Sequence, residues 1–173
     1  AAGEVVTINV PAEAVSKDLK ILVGAHAFDL TSKINDINRF PRVSKEFEIT
    51  STQTKAANPF GGGIYIKIPD GVDLGWINVS LSGAVKSPYF RFIQGKETNP
   101  TDWQEDIANA YVLWADVESE KMMFTIPTSA VDKDDPSDIM STWDKMWDAV
   151  QVCAGRPLDK TRAEYLLIDS RLP

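Results

Sequence analysis

Chemistry that needs an imidazole or a thiolate has one of each to draw on here, His26 and Cys153. A zincin-type hydrolytic site needs two histidines one helical turn apart with a glutamate between them, so a single histidine does not build it. A Ser-His-Asp or Cys-His arrangement would have to recruit His26. That residue lies in Gly24-Ala25-His26-Ala27-Phe28, just past an apolar run, with neither a nucleophile elbow nor a cysteine beside it. The setting fits a strand-end histidine satisfied by backbone groups. Cys153 closes a helical pattern, where a buried small hydrophobe is expected rather than a reactive thiol. Being alone, it also excludes an internal disulfide and a cysteine-rich zinc site.

Gly61-Gly62-Gly63 has the flexibility of a phosphate loop, but a P-loop continues into Lys-Ser/Thr at a helix start. Here the alternating Ile64 to Ile68 follows, so the glycines are expected to allow a tight turn or the close approach of another backbone. Asp132, Asp134, Asp135 and Asp138 lack the spacing, glycine and terminal glutamate of a calcium loop. They read as a negatively charged helix entrance. Among 25 acidic residues no pair stands out for glycoside cleavage. Of five tryptophans, Trp143 and Trp147 fall on a helical apolar face and read as core, whereas Trp76 lies on the face opposite Ile77, Val79 and Leu81, a setting that allows exposure; packing is favoured over ligand stacking. Trp103 and Trp114 fit either setting. Asn78-Val79-Ser80 matches the glycosylation pattern, inside an expected strand. No residue of the chain therefore takes a catalytic, cofactor-binding or metal-ligating role by this reading.

The elements around these residues are mostly strands. Val6, Ile8 and Val10 alternate with polar neighbours, as do Phe47 and Ile49, Ile64 to Ile68, Ile77 to Leu81, and Met122 to Ile126. Leu19 to Val23 is a short apolar run closed by Gly24, and Tyr165 to Asp169 also reads as a strand. Thr101 to Ala110 fits a short helix capped by Asn99 or Thr101. A stronger helix opens at Asp135-Pro136 and carries Ile139, Met140, Trp143, Met146, Trp147, Val150 and Ala154 at helical spacing before Gly155. The expected fold is mainly β with one or two helices, an antiparallel β-sandwich with a helix near the C-terminal end. Residues 1–173 read as one such domain.

Composition narrows the partners. The 173 residues are 43% hydrophobic and 25% charged, a balance able to fill a core. A net charge of -7 with no basic cluster argues against nucleic acid. No apolar run approaches the roughly 18 residues of a membrane span. Ala1-Ala2-Gly3-Glu4 lacks the parts of a signal peptide, and further polypeptide is expected beyond the last strand.

Taken in order, several segments resemble one family. They are Gly3-Glu4-Val5-Val6-Thr7-Ile8, Leu22-Val23-Gly24-Ala25-His26 with Asp29-Leu30, Arg39-Phe40-Pro41, and Asn58-Pro59-Phe60-Gly61-Gly62-Gly63-Ile64-Tyr65-Ile66. Ser82 to Phe90, Trp114 to Glu118, Phe124 to Ser129, Asp135-Pro136, Trp143-Asp144 and Asp169 continue the order. The set resembles the enhancin-like zinc metallopeptidases, peptidase family M-60, which include mucin-degrading enzymes and, as non-peptidase relatives, the vertebrate TRP-channel-associated factors. The family's His-Glu-x-x-His helix lies downstream of everything resembled. The resemblance thus implies the N-terminal, non-catalytic β portion of a secreted or cell-surface zinc metallopeptidase acting on glycoproteins such as mucins. Zinc would belong to the parent protein and not to this chain, which is expected to be inactive alone. Its partners would be the downstream catalytic portion and a glycoprotein substrate. Two alternatives stay open: a glycan- or protein-binding module, and an intracellular member of the non-peptidase branch.

Overall fold

The computed structural model describes residues 1–32, 39–131, 135–160 and 162–168. The fold is mainly β, with its longest helix near the C-terminal end, as the alternation implies. The described residues gather into two compact units, residues 1–85 and 86–168.

The first unit holds β1 (Val5–Asn9), β2 (Lys20–Val23), β3 (Lys45–Glu48), β4 (Gln53–Ala57), β5 (Ile64–Lys67) and β6 (Ser80–Ser82). They form two three-stranded antiparallel sheets, ordered β4-β1-β6 and β3-β2-β5. Alternation puts Val6, Ile8 and Val10 on one side of the first sheet, and Ile21 and Val23 on one side of the second. All five join Ala14, Leu19, Ile49 and Ala56 in one buried cluster, the filling of a small sandwich. Each fully buried Ile or Val is worth about 1.5–3 kcal/mol over its exposed state.

Two strands differ from the sequence pattern. The expected strand through Ile77 and Val79 shortens to β6, because only Ser80 to Ser82 pair with β1. Gly75 turns the chain at φ 58°, its N–H held by the Asp73 carboxylate at 2.8 Å. Ile77 and Val79 still pack on the core from outside the ladder. Strand β4 shows no apolar alternation and takes its register from β1, with Ala56 opposite Val6.

The second unit runs β7 (Tyr89–Phe92), α1 (Pro100–Ala108), β8 (Trp114–Ser119), β9 (Met122–Pro127), α2 (Ser137–Cys153) and β10 (Glu164–Leu167). Its sheet, ordered β10-β9-β8-β7, is mixed: β8 and β9 are antiparallel, while β7 pairs parallel to β8 and β10 parallel to β9. Parallel neighbours cannot be joined by a tight turn and need a crossover of roughly a dozen residues, usually helical. Helices α1 and α2 are those crossovers. The antiparallel sandwich thus describes the first unit, and the second adds a sheet backed by helices.

Both helices carry explicit end signals. Asn99 Oδ1 accepts the Thr101 N–H at 2.8 Å, with Pro100 in the first turn of α1. Asp135 Oδ1 accepts from the N–H of Ser137 at 2.9 Å and from its hydroxyl at 2.6 Å, at the entrance to α2. At the far end Gly155 turns at φ 64°, while its N–H and that of Arg156 return to Val152 and Gln151. The core joins Phe90, Ala115, Val117, Met122 and Phe124 of the sheet to Trp103 and Met140 of the helices, with Trp143 and Trp147 packed against it. Trp103 meets Phe90 edge-on at 5.5 Å.

Candidate functional site

The residues weighed for nucleophilic or metal chemistry do not assemble. His26 is buried just beyond β2 of the first unit and is engaged with a neighbour. Cys153 belongs to the second unit and is exposed, against the expectation of burial. Met140, Trp143 and Trp147 define the packed side of α2, and Cys153 falls outside that sector. Among the described residues no group of three or more His, Cys, Asp or Glu is placed to hold a metal ion. Those residues therefore do not fit a zinc ion. Asp132, Asp134 and Asp169 lie outside the described residues, and Asp135 is occupied by Ser137.

The glycine segment has a precise structural task, and its centre is Asn58. This side chain is only 3% exposed. Its Nδ2 donates to the carbonyls of Val23, Val43 and Gly61 at 3.0, 2.8 and 3.1 Å. Two N–H bonds facing three acceptors means that one of them is shared. Its Oδ1 accepts the Phe60 N–H at 3.2 Å, an Asx turn, and its backbone carbonyl accepts from Gly3 and Gly61 at 2.9 Å each. Next to it Gly62 sits at φ 113°, where a Cβ would come within 2.7 Å of the Gly24 Cα. The Gly24 N–H donates to the Gly63 carbonyl at 2.8 Å. Close backbone approach, the expected use of these glycines, is what they allow. Asn58 itself has no periodic signature; the Asn-Pro pair opening a glycine turn is its only sequence signal.

A connected set of polar side chains lies across the mixed sheet of the second unit. Parallel register places Tyr89 beside Asp116 and Arg91 beside Glu118. The Tyr89 hydroxyl donates to Glu118. Arg91 donates through Nη2 to Tyr89 Oη at 2.8 Å and through Nε to Glu118 at 3.2 Å. Burial, reinforced by the Glu118 carboxylate, pushes the Tyr89 phenol up to about 12. Tyr89 therefore keeps its proton at neutral pH and serves as a donor, not a base. A second chain crosses β8, β9 and β10: Thr125 Oγ1 donates to Asp116, which leaves Tyr165 Oη to donate to Thr125 at 2.7 Å. Burial raises the Asp116 pKa, against the Thr125 hydrogen bond that lowers it. These hydrogen bonds tie β7 to β8 and β9 to both β8 and β10.

The aromatic residues separate into three settings. Trp103 is fully buried, and Trp143 and Trp147 are half-buried on the core, as their helical spacing implies. The Trp147 ring carries Lys160 Nζ at 4.6 Å and Lys121 Nζ at 5.5 Å from its centroid. Trp114 is half-buried, and Trp76 is 99% exposed. Asn78 is exposed and precedes β6, so the glycosylation pattern runs from irregular chain into the first residue of that strand, Ser80.

Comparison with known proteins follows the same division of the chain. Residues 1–82 match the model for the N-terminal domain of M60-like peptidases. Residues 83–171 match the model for peptidase M60, enhancin and enhancin-like proteins. TRPM8 channel-associated factor 3 of Rattus norvegicus is 33% identical over 171 residues, covering 98% of this chain and 18% of its own length. The chain thus spans less than a fifth of that curated relative. Two solved structures share the fold. The ZmpB metallopeptidase from Clostridium perfringens has a TM-score of 0.65 at 14% identity, over 96% of this chain and 37% of its own. IMPa from Pseudomonas aeruginosa, in complex with an O-glycopeptide, has a TM-score of 0.68 at 14% identity, over 99% of this chain and 24% of its own.

Proposed function

Because the chain belongs to the peptidase M60, enhancin and enhancin-like family, we propose that it is the N-terminal, non-catalytic portion of a secreted or cell-surface zinc metallopeptidase acting on glycoproteins such as mucins. Its task in this reading is to support a downstream catalytic portion, which supplies the zinc ligands and the general base. The observation that carries it is an exposed flank of α2, next to its packed side. Ile139, Met146 and Val150 follow one another at helical spacing there and are exposed. A lone exposed apolar residue needs no explanation, but a row along one helix side is the kind of surface that further polypeptide covers. The curated relative is several times longer than this chain, which leaves ample polypeptide for that cover. The metallopeptidase neighbour and the neighbour bound to an O-glycopeptide support the choice of reaction and substrate.

The test has two arms. Pure chain incubated with mucin and added Zn²⁺ is expected to leave the substrate intact on a gel, and zinc-dependent cleavage would sink the non-catalytic assignment. The parent polypeptide beyond Pro173 is expected to contain His-Glu-x-x-His, and its source to carry an export signal before Ala1.

A second reading rests on the 33% identity to a TRPM8 channel-associated factor. In it the chain is part of a protein of the non-peptidase branch, acting through partner contacts inside the cell. A parent lacking His-Glu-x-x-His would favour this branch. A free-standing glycan module would need the exposed Trp76 to stack on sugar, and calorimetry showing no heat at millimolar sugar would remove it.

A further inference from the structure

We draw no further inference here: the strongest candidate, the exposed ring pair of Phe40 and Phe60 beside the glycine turn of the first unit, is an apolar surface patch for which nothing in the structure shows what covers it.

Discussion

Asn58 and Asp116 show two ways in which one side chain governs its surroundings. Asn58→Ala leaves the Val23, Val43 and Gly61 carbonyls short of a donor in a buried place. A loss of about 3 kcal/mol in urea unfolding of the first unit is expected, since each buried unsatisfied group costs roughly 1–3 kcal/mol before relaxation. Asn58→Asp replaces the donor with an oxygen facing three oxygens and is expected to cost at least as much. Asp116 acts through pH. Its folded pKa lies above the ordinary 3.8, so the folded state holds the proton more tightly than the unfolded state does. The associated stability is fully present below pH 3.8 and is lost as pH rises through the raised folded value. Asp116→Asn keeps an oxygen for Thr125 and removes the titration. Melting curves of the variant are therefore expected to lack the decline that this carboxyl gives the wild type above pH 3.8; parallel pH profiles would refute the assignment.

At the scale of elements, the sharpest predictions concern close approach and burial. Gly62→Ala forces a Cβ to within 2.7 Å of the Gly24 backbone at a φ of 113°. It is expected to destabilise the first unit by about 2–4 kcal/mol, read as a lower urea midpoint. Trp103→Ala empties the contact between α1 and β7 and is expected to cost the second unit about 3–5 kcal/mol. Most of the strands and helices were legible in the sequence, β2 and β10 as short apolar runs and β1, β3, β5, β9 and both helices by their apolar periods. Strand β4 was not, because Gln53, Thr54 and Lys55 carry no alternation and pairing with β1 alone specifies them. The parallel order of the second sheet was hidden because side-chain period does not reveal strand direction. For α2 the spacing identified one apolar face, but the sheet covers only the sector of Met140, Trp143 and Trp147. Ile139, Met146 and Val150 are left outside, since periodicity says which residues share a side and not what lies against it. The Asn58 contacts reach 35 residues back to Val23 and 15 back to Val43, a separation no local pattern encodes.

For the whole molecule, the division into two units is the main consequence of packing. Each unit has its own buried cluster, one between antiparallel sheets and one beneath two crossover helices. No linker-like stretch marks the change near Val85; this is why the sequence reads as one domain. A unit with its own core can fold alone. Residues 1–85 expressed by themselves are therefore expected to give dispersed amide resonances and a cooperative thermal transition. A collapsed spectrum typical of an unfolded chain would show that this unit needs the rest of the polypeptide.

The identity of the residue after Asn58 bears on how long the molecule lasts. Asparagine side chains age by deamidation, in which the next residue's backbone nitrogen attacks the side-chain carbonyl to close a succinimide ring. Proline has no backbone N–H to support that attack, and Pro59 follows Asn58. Had glycine followed, slow hydrolysis would convert this amide into a carboxylate facing three carbonyls, and the first unit would carry a built-in clock. The proline protects against chemical wear a buried side chain that holds three segments of the first unit together.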